Sequence, residues 1–134
     1  MSIKKTQVGL IKHLQTLSPA LPTAYEGVSF TPPTGMYQRV QFRISKPDDP
    51  VLGQGYYRER LEIQVFVYGA INKGTGEVLD RAEMLRQHFK KGTFLLEQQI
   101  PIHVLETPAI SGTVVIGDRI LCPVIITAVA EIST

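Results

Sequence analysis

Cysteine occurs once in this 134-residue chain, at Cys122, so no internal disulfide can form and no framework of bridges supports the fold. Three histidines, His13, His88 and His103, are scattered with no pair at ligand spacing and no carboxylate cluster beside them, which leaves no pattern for a metal site. An excess of one charge is also missing. Fourteen basic residues face 12 acidic ones, and a net charge of +2 is too small to mark a nucleic-acid footprint on its own. No apolar run approaches the ~20 residues that span a bilayer; the longest, near Leu121 to Ala130, is interrupted by Pro123 and Thr127. No membrane partner is expected. The start, Met1-Ser2-Ile3-Lys4-Lys5, lacks a following apolar run and a small-residue cleavage site, so synthesis inside the cell is the expectation.

What is present is the composition of one compact domain spanning residues 1–134, with 43% hydrophobic and 19% charged residues. A chain of this length buries roughly two thirds of its unfolded surface and can fold without staples. Ile3, Val8, Leu10, Ile11, Leu14 and Leu17 recur at three and four and predict an amphipathic helix, with Ser2 as its cap and Ser18-Pro19 as its stop. Residues 19–35 hold Pro22, Gly27, Pro32, Pro33 and Gly35 and predict a loop, with a short extended segment at 28–30.

Strand patterning follows. Val40, Phe42 and Ile44 alternate with Arg39, Gln41 and Arg43, and residues 57–68 set Leu61, Ile63, Val65 and Val67 against Arg58, Arg60, Glu62 and Gln64. Between them, residues 46–55 carry two prolines and two glycines and predict a long hairpin loop of the functional or mobile kind. Val78, Ala82, Leu85 and Phe89 predict a second helix, with Thr75 as cap, Glu77 and Asp80 in its first turn, Lys90 and Lys91 in its last, and Gly92 beyond. Strands at 102–107 and 119–132 complete the chain. The expectation is an α+β fold in the order α-β-β-α-β-β: an antiparallel or mixed sheet of four to five strands packed with two helices.

One feature of the last strand stands out. Ile120, Cys122, Val124, Ile126, Ala128, Ala130 and Ile132 make one apolar face, and Leu121, Ile125 and Val129 make the other apolar too. With helices on one side only, that second face would lie in water and forgo roughly 1.5–3 kcal/mol per large side chain. A neighbouring subunit is one cover; a helix or loop of the same chain is the other.

Catalytic chemistry finds little support. Cys122 sits inside an apolar strand before Pro123, whereas a reactive thiolate needs a cationic, partly exposed setting. Gly74-Thr75-Gly76 precedes a helix, but Leu79 stands where a dinucleotide fingerprint needs glycine, and Glu77-Val78 replaces the Lys-Ser/Thr of a phosphate loop. No catalytic, cofactor or metal residue is assigned. Arg39, Arg43, Arg58 and Arg60 with Tyr37, Tyr56 and Tyr57 outline a basic and aromatic stripe that would suit single-stranded nucleic acid, but Glu59 and Glu62 dilute it.

The stretch Tyr25-Glu26-Gly27-Val28-Ser29-Phe30-Thr31-Pro32-Pro33-Thr34-Gly35-Met36-Tyr37-Gln38-Arg39-Val40 resembles a segment of small tailed-bacteriophage proteins, the tail-terminator-like or minor tail proteins. Its Phe-Thr-Pro-Pro-x-Gly-x-Tyr core is the most specific part. Val65-Phe66-Val67-Tyr68, Gly74-Thr75-Gly76, the helix with Ala82, Leu85-Arg86 and His88-Phe89, and Lys91-Gly92-Thr93 extend the likeness to Thr93. The resemblance implies a structural virion protein, assembled in the host cytoplasm. It would form a ring, six subunits by implication, that caps the tail tube, stops its growth and meets the head-completion or neck protein. A neck or other minor tail post is the alternative, with non-specific contact to passing DNA a further implication. Such a ring needs two different patches per subunit. The candidate interface residues are Val51, Leu52, Tyr56, Tyr57, Arg58 and Arg60, with Leu121, Ile125 and Val129 on the doubly apolar strand.

Overall fold

Two fifteen-residue strands, Tyr56–Ala70 and Arg119–Ser133, pair antiparallel along their whole length and form the spine of the computed structural model, which describes residues 2–133. In chain order the elements are α1 (Ser2–Gln15), β1 (Thr23–Ala24), β2 (Tyr37–Ile44), β3 (Tyr56–Ala70), α2 (Gly76–His88), β4 (Phe94–Glu97), β5 (Ile100–Val104), β6 (Ala109–Ile110), β7 (Val114–Ile116) and β8 (Arg119–Ser133). The α+β class holds, but the expected four to five strands are eight, in one open mixed sheet of order β1-β2-β3-β8-β5-β4, with β6 and β7 also paired to β8. β1 runs parallel to β2, and the other pairs are antiparallel.

The additional strands are short, and each depends on a neighbour rather than on its own pattern. β1 is held against Gln38 and Arg39 at residues 23–24, not at the expected 28–30. β4 and β5 join through Gln98 and Gln99, at φ 47 and 69, where a two-residue turn needs two left-handed residues. Glutamine is not a signature residue for that turn, which is why β4 carries no hairpin signal. β6 and β7 occupy successive stretches of the β8 edge that β5 leaves free.

Period two in the strands and 3.6 in the helices meet at one core. Ile63, Val65 and Val67 of β3 and Val124, Ile126 and Ala128 of β8 face Leu10 and Leu14 of α1 and Val78, Ala82, Leu85 and Phe89 of α2. Both helices therefore lie on the same side of the sheet. α1 stops at Gln15, two residues before the last apolar position, and its end tightens through the Thr16 and Leu17 N–H groups bonding the His13 and Leu14 carbonyls at 3.1 Å each. The cap expected from the Ser2 side chain lies outside the described residues. Thr75 does occupy the N-cap of α2, but its side chain makes no capping bond; only its carbonyl accepts, from Leu79 N–H at 3.0 Å. Arg81, buried by the helix layer, donates to the Pro19 carbonyl and ties α2 to the loop after α1.

α1 crosses the β4–β5 hairpin where a side chain would not fit. A Cβ on Gly9 would stand 2.8 Å from Ile102 Cδ1 and 3.0 Å from Glu97 Cβ. Beside this contact Lys12 Nζ bonds both oxygens of the largely buried Glu97, at 3.0 and 3.2 Å. Gly9→Val should push the helix off the hairpin and cost about 1–3 kcal/mol, the range for overpacking a core. Thermal denaturation should show a melting temperature several degrees lower with secondary structure retained.

Candidate functional site

The sheet side without helices carries most of the sequence-derived candidates. In register across β3 and β8 stand Arg58 with Glu131, Arg60 with Val129, Gln64 with Ile125 and Tyr68 with Leu121. Helices do lie on one side only, yet Leu121 is 8% exposed and Val129 4%, while Ile125 is half-buried. Of the two covers weighed, a neighbouring subunit and the chain itself, the chain itself supplies that of Leu121 and Val129. Neighbours within the sheet cover them: Val114 of β7 pairs with Leu121 opposite Tyr68, and His103 of β5 pairs with Val129 opposite Arg60.

Around Leu121 the cover is aromatic. Tyr37 stacks on Tyr68 at 4.7 Å, and Arg119 lies 5.1 Å over the Tyr37 ring while bonding the carbonyls of Pro33 and Gly35. Phe30 adds a ring contact to Tyr37 at 5.5 Å. The Phe-Thr-Pro-Pro segment is thereby pinned to the start of β8.

Around Val129 the cover is ionic and leaves a cleft of about 460 Å³, lined among others by Asp48, Arg58, Arg60, Lys91, His103, Leu105 and Glu131. Tyr56 donates its hydroxyl to Glu131 Oε1 at 2.8 Å, His103 Nε2 lies 3.2 Å from Glu131 Oε2, and Arg58 approaches at 3.7 Å. The Tyr56 bond first, and His103 next, hold the Glu131 carboxyl below the usual carboxylate range. Asp48 pairs with Arg60 at 2.9 Å, and its backbone bridges Arg58 in both directions at 2.9 Å. The base of the 46–55 loop is therefore fastened to β3, while its tip stands free: Val51 is exposed and Leu52 entirely so.

Of the nine candidates, Tyr56, Arg58, Arg60 and Val129 gather at this cleft, and Val51 and Leu52 are exposed on the loop whose base, Asp48, lines it. Leu121 and Ile125 sit farther along β8. Tyr57 leaves the group: it pairs with Ile132 and packs against the core on the helix side. Three of the four stripe arginines are engaged within the chain, Arg39 with the Tyr68 hydroxyl at 2.7 Å and Arg58 and Arg60 as above. The face is thus one of mixed, internally paired charge.

Further exposed apolar surface lies where the sequence pattern gave no warning. Phe94 and Leu96 of β4 are 55% and 63% exposed, and Val114, Val115 and Ile116 of β7 are exposed as well. Their runs are only four and three residues long, too short to show a period, so the signal available was hydrophobicity without alternation.

The buried Cys122 thiol is pushed up by desolvation, the opposite of what a nucleophile needs. The fold brings together two histidines that lie 75 residues apart in the chain. His13 and His88 stack at 4.1 Å, and each ring donates from Nε2 to the other residue's carbonyl, at 2.7 and 2.6 Å. Because a carbonyl only accepts, both rings carry a proton on Nε2, and the pair closes the ends of the two helices on each other. Among the described residues no group of three or more ligand-type side chains could hold a metal ion, and no helix is long and apolar enough to cross a membrane.

Two pH dependences follow. Burial lowers the His13 pKa, so the unfolded chain takes up a proton first; stability is full above the ordinary histidine value of about 6.5 and falls as pH drops through it. His13→Gln should lose about 1 kcal/mol at pH 7.5, the worth of a hydrogen bond, and show a flatter stability profile between pH 7.5 and 5.5 in urea titrations. Glu131 is depressed, so its contribution is present above the unfolded carboxylate value and disappears as pH falls through the folded one. Glu131→Gln should therefore be less stable than the parent at neutral pH and converge with it in acid.

No curated protein matches this chain. A solved protein structure superposes with a TM-score of 0.77 at 21% identity, over 97% of this chain and 96% of the other, which establishes a shared fold. A family model described as phage tail terminator protein matches residues 7–127, from within α1 into the middle of β8. That match spans most of the chain, and the chain, with its mixed-charge sheet face and exposed apolar edges, belongs to the phage tail terminator family.

Proposed function

We propose that copies of this chain assemble in the host cytoplasm into a closed ring, a hexamer, that caps the finished tail tube, ends its polymerisation and presents a surface to the head-completion or neck protein. The observation that carries this reading is a pair of unlike apolar surfaces, one on a loop at a strand end and one on an edge strand. The loop tip with Val51 and Leu52 connects β2 to β3, while Phe94 and Leu96 lie on β4 at the far end of the strand order. A ring is built from heterologous contacts, which need two different patches per subunit; a twofold dimer needs one self-complementary patch. Leaving these side chains in water forgoes roughly 1.5–3 kcal/mol for each large one that a neighbour could bury.

The same reading reassigns the β8 residues. Leu121 and Val129 serve the interior of the subunit, and half-buried Ile125 is left as the β8 candidate for a neighbour. No cofactor, metal or catalytic group takes part in capping, which is a matter of surface complementarity alone.

Tail-tube subunits polymerised with and without saturating protein, viewed by electron microscopy, test the proposal. Arrested tubes bearing a ring of density at one end are expected. Unrestrained tube lengths at saturation would overturn capping, and binding to neck complexes with none to tube ends would move the protein to a neck post.

A further inference from the structure

The cleft over Val129 and the tip of the 46–55 loop are complementary to each other, and no contact within the subunit uses that complementarity. The cleft has an exposed apolar wall, Leu105, standing over the nearly buried Val129, and beside it a lysine, Lys91, that makes no ion pair among the described residues. The loop tip offers the matching set: Leu52, with no cover at all, Val51 beside it, and Asp49, an anion likewise without an ion pair among the described residues. Asp48, one residue earlier, is committed to Arg60 and to the backbone of Arg58, so the loop is anchored at its base with Asp49 to Leu52 directed away from its own subunit.

Topology makes the match usable between copies. The loop leaves the sheet at the β2–β3 end, and the wall formed by Lys91 and Leu105 flanks β5, across β3 and β8 from it. Knob and hole are different parts of the subunit surface, which is what head-to-tail contact requires. We infer that in the assembled ring the loop tip of each copy enters this cleft of the next, with Leu52 against Leu105 and Asp49 against Lys91. The inference rests on the ring reading above and specifies its contact. Phe94, whose ring lies 5.1 Å from His103 at the rim of the cleft, extends the apolar surface that the incoming loop would meet.

Cysteine cross-linking tests it. Leu52→Cys is combined with Leu105→Cys or, at a more exposed site, with Lys91→Cys; native Cys122 is fully buried and stays out of the reaction. Mild oxidation of the assembled protein, free and on tail tubes, should give a ladder of covalent dimers, trimers and higher species on non-reducing gels, while no single variant passes beyond dimer. Leu52→Asp, on a side chain with nothing to disturb in the fold, should weaken self-association about tenfold or more with an unchanged melting curve. Rings seen by native mass measurement or microscopy without any ladder would overturn this contact and leave the ring standing. A ladder that stops at dimer would show a reciprocal twofold contact and overturn the head-to-tail arrangement. Absence of any oligomer, free or tube-bound, would remove the ring and this contact together.

Discussion

The long β3–β8 pairing is the constraint on which the rest of the molecule depends. Its register is held by one fully apolar face, because a slip of one residue would turn Ile63, Val65 and Val67 away from the helices and bring Glu62 and Gln64 beneath them. Once that register is set, β2 extends the sheet on one side, while β5, β6 and β7 share the single remaining edge of β8. Both helices follow, since only one face of this pair offers a continuous apolar floor.

The opposite face shows how a subunit can carry apolar residues on its second side without a second helical layer. At one end Tyr37, Tyr68 and Arg119 form a ring-and-cation stack beside Leu121; at the other, Arg58, Arg60, His103 and Glu131 surround Val129. Long polar side chains lay their carbon stems over apolar neighbours while their heads pair with one another. The result is a face largely closed by the chain's own side chains. Exposure is concentrated instead at the margins, in the loop tip, β4 and β7.

Much of this was legible in the residues alone. Both helices, the two long strands, the hairpin loop and the apolar core follow from periods of 3.6 and 2, which report burial directly. The resemblance carried by Phe30-Thr31-Pro32-Pro33 pointed to the right family, and its physical role became clear only with Arg119, 86 residues away from Pro33, holding its carbonyls. The short strands were not legible. β1, β6 and β7 have two or three residues each, and β4 reaches its partner through a Gln-Gln turn whose left-handed backbone is imposed by the hairpin rather than favoured by the side chains.

The candidate site divides along the same line. Sequence by itself determined which residues are apolar and on which face of a strand each one falls, because alternation is a local property of an extended backbone; it thereby identified Leu121, Ile125 and Val129 as a second apolar row and Val51-Leu52 as an apolar loop tip. Only the tertiary structure decided which of these are covered. Cover comes from strands and side chains distant in the chain: Val114 and Tyr68 over Leu121, His103 and Arg60 over Val129, and nothing over Leu52. Burial is a property of neighbours in space, and the neighbours are chosen by the sheet order.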